Sequence, residues 1–328
     1  MTEKEILCDK IYEVTNWKIN PFRMKIVTDT SDWMRINRGD VIRLNNSDFV
    51  VRGNMREPRF GIDDQPKYWV FSAVELETGK EKIIKTVFHE EFYAHIGILK
   101  IKCYRNPEKE GKVLELVKND ERFMQGYTVY DEKGNNVRVI DYIQGTSLFN
   151  YIPSINLSHE EYFFTELPRI MHKLYDCFVA ILFLHQNGFC HGDIRNDHIF
   201  IETKTGQYRW IDFDLMQDVS DFDLWSFSNI IGYAVAKGIK TFDYVLKSNE
   251  FSDEVKNSLR REDGSAFYNY RILNLKKIYP YIPNHLDSIL KHFTIKPDRY
   301  YKDSDEFCKD FKEMIDKEFP IEKNIKMN

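Results

Sequence analysis

The chain changes near residue 150 from mostly strand-like to mostly helix-like hydrophobic patterning, and this change restricts the folds that it can adopt. From about residue 41 to 145, short β-branched and aromatic runs alternate with turn residues, whereas from about residue 158 onward apolar residues recur at helical spacing. A run of strands followed by a run of helices is typical of an α+β architecture. We therefore predict a small antiparallel sheet domain followed by a mostly helical domain.

The first region contains two predicted hairpins with one main helix between them. The runs KYWVFSAVEL and EKIIKTVF flank the turn ETGK, and QGYTVYDEKGNNVRVIDYI turns around EKGNN. Between them, Asn106 suits an N-cap and Pro107 suits the first position of a helix. We predict an N-terminal extension over residues 1–40, a nucleotide-binding sheet lobe over 41–145 and a helical lobe over 146–328.

The second region contains several predicted helices. Ser158 and Glu161 form a capping box ahead of a long periodic segment that ends near Gly188. Further helices are predicted in DLWSFSNIIGYAVAKG, HLDSILKHF and DEFCKDFKEMIDKEF.

Charge and composition restrict the partners and the location. Lys and Arg number 47 against 52 Asp and Glu, so a net charge of -5 offers no basic surface for nucleic acid as a default partner. No run approaches the roughly 18 apolar residues that span a bilayer. The five cysteines are scattered without a CxxC pair, which argues against disulfides and a zinc site. We expect a reduced, cytoplasmic protein with no membrane span.

The stretch HGDIRNDHIF, just after the long predicted helix, carries groups suited to phosphoryl transfer. Asp193 on such a loop can orient an attacking hydroxyl and accept its proton. Arg195 could neutralise charge that develops on the transferred phosphoryl group. The alternative is a polar turn between a helix and a strand.

A second carboxylate follows in WIDFDL, an apolar strand that ends in Asp212. A carboxylate at the end of a buried strand is well placed to hold Mg²⁺ that bridges nucleotide phosphates. The predicted hairpin IETKTGQYRWI lies between Asp193 and Asp212 and would bring their carboxylates to the mouth of the same site. The alternative is a solvated strand end.

The sheet region contains a predicted buried ion pair. Lys85 lies among apolar neighbours in EKIIKTVF and therefore needs either solvent or a buried anion. Glu110 shares the apolar face of its predicted helix with Val113, Leu114 and Val117, so it requires a cation. We predict that Lys85 and Glu110 pair, the alternatives being an edge-strand lysine and a solvent-facing glutamate.

In order and separation, these groups resemble those of the protein-kinase-like superfamily. The matching residues are Lys85, Glu110, Asp193 in HGD and Asp212 in IDF. The stretch VIDYIQGTSL resembles the hinge between the two lobes of these enzymes. The resemblance covers roughly residues 60 to 318, and it implies a bilobal protein-kinase-like fold.

Two later stretches extend the resemblance toward eukaryotic-type protein kinases. DFDLWSFSNIIGYAVAKG is similar to their buried helix that starts D-x-W-S, with Asp223 and Trp225 matching. IKPDRYYKDSDEF resembles the segment near their end that carries a proline and an arginine, here Pro297 and Arg299.

The resemblance implies a role for each matching residue. Lys85 would bind the α- and β-phosphates of ATP and would be held by Glu110. Asp193 would be the catalytic base, and Asp212 would be the principal ligand of Mg²⁺. His191 and Phe213 would pack beneath the site.

The resemblance also implies an adenine site in the hinge and a phosphate-binding glycine loop. Backbone groups around Asp141 and Ile143 would meet adenine. The stretch FVVRGNMREPRFGIDD contains only Gly53 and Gly61, not a close triplet, although Gly61 would still approach the nucleotide. Three arginines of the same stretch either supply charge instead or form a solvated hairpin tip: Arg52, Arg56 and Arg59.

His198 stands five residues after Asp193, where the family has its metal-binding asparagine. Mg²⁺ prefers oxygen, whereas imidazole suits softer transition metals. Either one metal suffices, or Mn²⁺ is favoured with His198 as a ligand, or Asp197 substitutes, or the site is inactive.

The segment after Asp212 is short. Only residues 213–222 separate Asp212 from Asp223, which leaves no room for a long activation segment, and Asp214 replaces a glycine as it does in aminoglycoside phosphotransferases. We predict an ATP-dependent phosphotransferase that acts on a hydroxyl of a protein. The alternatives are a small-molecule or sugar kinase and a nucleotide-binding pseudokinase.

Overall fold

The computed structural model of the chain describes residues 1–59, 62–96, 99–219 and 221–320. The chain forms two compact units. The first comprises Met1–Glu90 and Arg105–Ile143, and the second comprises Glu91–Tyr104 and Gln144–Asn328.

Strands dominate the first unit and helices dominate the second. The strands are, in chain order, β1 (Ile26–Val27), β2 (Val41–Leu44), β3 (Ser47–Arg59), β4 (Ile62–Glu75), β5 (Glu81–Lys85), β6 (Glu91–Ile96), β7 (Leu99–Arg105), β8 (Gly126–Tyr130), β9 (Asn136–Asp141), β10 (Gly145–Ser147), β11 (Ile199–Glu202), β12 (Tyr208–Trp210) and β13 (Leu215–Gln217). The helices are α1 (Glu3–Thr15), α2 (Pro107–Leu116), α3 (Leu148–Ser154), α4 (His159–Thr165), α5 (Leu167–Gln186), α6 (Phe222–Val235), α7 (Phe242–Lys247), α8 (Asp253–Ser258), α9 (Asn284–Lys291) and α10 (Ser304–Glu318). The predicted α+β class is confirmed.

The first unit is built on a sheet with strand order β1-β2-β3-β4-β5-β9-β8. Both predicted hairpins are present, as antiparallel β4–β5 and β8–β9. Helix α2 begins as expected, since the Asn106 side chain accepts a hydrogen bond from the Lys109 N–H and Pro107 opens the helix. Local turn and cap chemistry was therefore sufficient to predict these two hairpins and the start of this helix.

Two separate apolar clusters cover the two faces of this sheet. Because side chains alternate along a strand, Phe49 and Val51 join one cluster while Val50 joins the other. The second cluster also contains Leu7 and Ile11 of α1. The N-terminal residues thus form part of the packed core of the first unit.

The second unit contains a hairpin that the sequence did not predict. Strands β6 and β7 pair in antiparallel fashion, and β7 also joins β13, which follows Asp214. Ile101 and Cys103 of β7 form an apolar cluster with Leu215 and Phe222. Although the hairpin lies between β5 and α2 in the chain, it belongs to the second unit.

The helical part largely follows the prediction. The capping box of Ser158 and Glu161 is present, but the helix that it opens ends at Thr165, and α5 begins two residues later with Pro168 in its first turn. Proline lacks the N–H that a continuous helix would need there. Among the described residues, no helix has both the length and the apolar character needed to cross a bilayer.

Candidate active site

The predicted catalytic loop is fastened to the start of α6 in the second unit. The buried carboxylate of Asp223 accepts hydrogen bonds from the N–H groups of His191 and Gly192 and from the His185 ring. Burial alone would raise the pKa of Asp223, but the hydrogen bonds from His185 and Gly192 hold it below its ordinary value. Asp223 therefore remains a carboxylate that holds the loop in place.

The carboxylates of Asp193 and Asp212 lie on opposite sides of one buried imidazole. His198 Nδ1 lies 3.7 Å from Asp193 Oδ2, and His198 Nε2 lies 3.7 Å from Asp212 Oδ2. His198 Nδ1 also lies 2.7 Å from the Asp193 carbonyl oxygen. Since a carbonyl only accepts, Nδ1 must carry the proton of this hydrogen bond. Nε2 is therefore the ring nitrogen directed at Asp212.

Local structure explains how Asp212 reaches this position. The paired strands β11 and β12 place Ile199 opposite Trp210, and Asp212 follows β12 with a φ of 68°. This left-handed conformation is uncommon for a residue other than glycine, although aspartate adopts it more readily than most, and it costs on the order of 1–2 kcal/mol. The turn aims the carboxylate of Asp212 toward His198 instead of continuing the strand.

A further carboxylate, that of Asp214, is buried near Asp212. Oxygen atoms of the two side chains lie within 4.8 Å of one another. Two carboxylates at this separation match the oxygen ligands that Mg²⁺ and Mn²⁺ accept. The donor set of Asp212 and Asp214, with His198 Nε2 beside it, therefore fits a divalent cation.

Arg195 and Asp197 form a two-point ion pair with each other. Arg195 Nε lies 2.9 Å from Asp197 Oδ1, and a guanidinium nitrogen also contacts Oδ2. Burial opposes ionisation of Asp197, but His198 and Arg195 lower its pKa to about 2. Arg195 was predicted to act in the site, and Asp197 was one alternative metal ligand; their pairing reduces the charge that each offers to a ligand.

The two residues expected beneath the site are packed there. His191 and Phe213 are both fully buried, and their ring centroids lie 4.8 Å apart. The His191 ring also meets Trp210 edge-on at 4.8 Å. These contacts support the backbone on either side of the pair Asp193 and Asp212.

The predicted ion pair is present in the first unit, together with a second cation. Lys85 Nζ lies 2.7 Å from Glu110 Oε1, and Arg138 Nε lies 3.1 Å from Glu110 Oε2. Arg138 also donates to the carbonyls of Asn136 and Thr86. The side chains of Glu110 and Arg138 are almost completely inaccessible to water. A buried carboxylate thus holds two cations of neighbouring strands, since Lys85 and Arg138 are register partners.

Arg138 was missed by the sequence analysis although a signal was present. It lies between Val137 and Val139 in a strand whose other side chains are mostly buried. An arginine in such a run needs a buried anion for the same reason that Lys85 does. Applying that argument to VRVID would have predicted a buried anion for Arg138, which the structure shows to be Glu110.

Two of the predicted nucleotide contacts, Asp141 and Ile143, lie at and just after the end of β9. The Asp141 side chain pairs with Lys82 at 2.6 Å, and its N–H donates to the Gln125 carbonyl. Ile143 follows the strand two residues later. Gly61 and the side chain of Arg59 lie outside the described residues, and Arg52 forms an ion pair with Glu81.

Comparisons with known proteins agree with this arrangement. The family model of the protein kinase domain matches residues 69–252. Among solved structures, a mutant of the Mycobacterium tuberculosis PknI kinase domain has a similar fold, with a TM-score of 0.50 and 10% sequence identity over 85% of this chain and 98% of that one. No curated protein matches the chain in sequence. Because the family model spans more than half of the 328 residues, the chain belongs to the protein kinase domain family.

Proposed function

We propose that the chain transfers the γ-phosphoryl group of ATP to a hydroxyl group, in the first place that of a serine or threonine side chain of a protein. Membership of the protein kinase domain family supports a phosphotransferase. The observation that carries the proposal is the arrangement of Asp193 and Asp212 on the two sides of His198.

In this proposal, Asp193 orients the acceptor hydroxyl and takes its proton. The Nδ1–H of His198 holds the Asp193 carbonyl, which fixes the loop, while Asp223 holds the loop from the other side. A base that is fixed before the substrate arrives loses little freedom during the reaction. Arg195 adds positive charge near the base, reduced by its pairing with Asp197.

Asp212 and Asp214 would hold Mg²⁺ or Mn²⁺, with His198 Nε2 as a further donor that favours Mn²⁺. The cation would neutralise charge on the β- and γ-phosphates of bound ATP. The Nδ1–H of His198 is already donated to a carbonyl, so the lone pair of Nε2 is available whenever the ring is neutral. His198 can therefore replace the asparagine that the family carries at this position.

Lys85 would contact the α- and β-phosphates of ATP, with its ammonium held by Glu110, which Arg138 holds in turn. For adenine we propose the Asp141 carbonyl and the Ile143 N–H, because the Asp141 N–H is already used within the sheet. Gly61 remains a proposed nucleotide contact.

The choice of acceptor rests on a cavity beside the catalytic loop. This cavity has a volume of about 160 Å³ and is lined by Arg195, Asn196, Tyr268 and Arg271. Sites for drug-sized ligands have volumes of about 300–1,000 Å³, so this one suits a single side chain of a protein better than a large sugar. A small-molecule acceptor is the second candidate, favoured by the short segment after Asp214.

Incubation with γ-labelled ATP, either Mg²⁺ or Mn²⁺ and a mixture of candidate protein acceptors tests the proposal. We expect label transfer to fall by about 10³-fold in Asp193→Asn, with nucleotide affinity unchanged, because the base is lost while the phosphate contacts remain. Asp176→Asn, which changes an exposed carboxylate of α5, is the matched control. Nucleotide binding without turnover under all conditions would instead favour a pseudokinase.

A further inference from the structure

A second, larger cavity lies in the second unit, away from the catalytic loop. Its volume is about 480 Å³, and it is bordered by α3, α4, α7 and the chain that follows α6. Neither the loop around Asp193 nor the carboxylates Asp212 and Asp214 contribute to its wall. A polar cavity of this size is sufficient for a small organic molecule.

Two lysines from one turn supply the positive charge of this cavity. Helix α6 ends at Val235, and the chain then turns through left-handed conformations at Lys237, with a φ of 51°, and Gly238, with a φ of 118°. The turn is closed by a hydrogen bond from the Gly238 N–H to the Tyr233 carbonyl. It brings Lys237 and Lys240 to the same wall of the cavity.

No ion pair joins either lysine to an acid in the part of the chain that the structure describes, although Glu250 acts on Lys240 and Glu161 interacts with Lys237 at longer range. Among the described residues, the Lys240 ammonium has no ion-pair partner, and it lies 5.0 Å from the centroid of the Tyr244 ring. Burial and the charge of Lys237 lower the pKa of Lys240, although Glu250 opposes this shift. Lys237 donates a hydrogen bond to the Leu157 carbonyl, which is uncharged. An anion in the cavity would relieve the repulsion between the two ammonium groups.

The remaining polar groups leave this positive charge in excess. Glu250 is the one acid among the residues that line the cavity, and it accepts a hydrogen bond from the Tyr244 hydroxyl. Burial lowers the pKa of His159 to about 4, so its ring adds no charge near neutral pH; its Nε2–H donates to the Val235 carbonyl, and its Nδ1 then accepts from the Tyr281 hydroxyl. Two ammonium groups therefore face one carboxylate.

One wall of the cavity is aromatic. The ring of His159 is stacked on that of Tyr279, with centroids 3.4 Å apart and planes 7° apart. Phe251 also lines the cavity and meets Tyr279 edge-on at 6.1 Å. Flat rings beside cationic groups suit a ligand that has an apolar body and one anionic end.

From this combination we propose that the cavity binds a small organic anion, with its phosphate or carboxylate group on Lys237 and Lys240 and its apolar body against Tyr279. The site is separate from the proposed phosphotransfer site and does not depend on that activity.

Acetylation of individual lysines by limiting acetic anhydride, followed by mass spectrometry of the full chain, reports on this site directly. Phenyl phosphate, benzoate and inorganic phosphate are the probes, with benzyl alcohol as the uncharged probe, all at equal ionic strength. We expect phenyl phosphate or benzoate to slow modification of Lys240 at least fivefold in a saturable manner, while Lys247, an exposed lysine of α7, is unaffected. Because the readout belongs to one residue, binding of a phosphate at the proposed ATP site cannot imitate it.

The three anions distinguish the possible ligands. Protection by phenyl phosphate alone assigns the site to organic phosphates, and protection by benzoate alone assigns it to carboxylates. Protection of Lys240 by inorganic phosphate as strong as that by either organic anion would overturn the apolar part of the proposal. Equal slowing at Lys240 and Lys247, or none at either, would overturn the whole proposal.

Two variants test the charge argument while Lys240 remains the reporter. Lys237→Asn removes one ammonium and keeps a residue that tolerates the left-handed conformation, so we expect protection to require several-fold more ligand. Glu250→Gln removes the opposing carboxylate and should lower the required concentration. Lys247→Met is the matched control. The proposal would be contradicted if the ligand concentration that protects Lys240 were the same in Lys237→Asn, Glu250→Gln and the wild type.

Discussion

Two buried ionic clusters, a first around Glu110 and a second around His198, have opposite charge balances. In the first unit, the carboxylate of Glu110 holds Lys85 and Arg138, so cations outnumber anions and the groups are in direct hydrogen bonds. In the second unit, Asp193 and Asp212 flank the single imidazole of His198 at 3.7 Å. An excess of cations suits phosphate, and an excess of carboxylates suits a metal ion. The first cluster therefore suits the negatively charged phosphates of ATP, and the second suits a divalent cation.

The largest effect is expected from removing the anion of the first cluster. Glu110→Gln leaves Lys85 and Arg138 buried without their carboxylate, so the free energy of unfolding should fall by about 3–5 kcal/mol. Urea denaturation measures this change. Glu115→Gln, at an exposed position of the same helix, is the control. If both variants lowered the free energy of unfolding by the same small amount, Glu110 would not stabilise the buried charges of Lys85 and Arg138.

This cluster also shows how far the sequence could predict the site. Periodicity was sufficient to predict the pair of Glu110 and Lys85, because helical spacing places Glu110 on the apolar face of α2 and Lys85 lies among apolar residues of β5. The contact of His198 with both carboxylates could not be predicted, because it depends on the three-dimensional turn at Asp212. The β6–β7 hairpin was missed for a similar reason, since its pairing with β13 joins residues that are distant in sequence.

Removing a carboxylate of the second cluster should affect ligand binding more than stability. In Asp212→Asn, we expect metal-dependent nucleotide affinity to fall by on the order of 100-fold, because a neutral amide is a weaker ligand for a hard cation. Calorimetric titration with ATP in Mg²⁺ or Mn²⁺ measures this effect, with Asp176→Asn as the control. Undiminished affinity would remove Asp212 from the metal site.

A smaller effect should distinguish the role of His198 within the second cluster. His198→Asn replaces a nitrogen donor with an amide oxygen, so the ratio of Mg²⁺-supported to Mn²⁺-supported turnover should rise by roughly tenfold. The exposed His95 of β6 offers a matched control in His95→Asn. An unchanged ratio would mean that His198 only fixes the loop.

The smallest effect concerns His159, a histidine that burial keeps neutral. Burial, together with Lys240 and Lys237, lowers the pKa of His159 to about 4, although the Val235 carbonyl acts in the opposite direction. Between pH 6.5 and 4 the unfolded chain therefore binds the additional proton, and the folded state loses stability as the pH falls.

Denaturation of the wild type and of His159→Gln at pH 7, 5.5 and 4.5 tests this expectation. Glutamine can make both hydrogen bonds but does not titrate, so the wild type should lose more stability than the variant on acidification. Parallel curves would show that His159 does not contribute to the pH dependence.

The hairpin β6–β7 affects how the chain folds during synthesis and where the chain can be split into two fragments. Its chain leaves the first unit after Glu90 and returns at Arg105, so neither unit is a single continuous stretch. Residues 106–214 separate β7 from its neighbour β13, so β7 leaves the ribosome long before β13 is synthesised. Until then, the edge of β7 that pairs with β13 stays unpaired. Cutting the gene near residue 144 would separate these strands. We therefore expect the two halves to be recovered in soluble form only when they are expressed together.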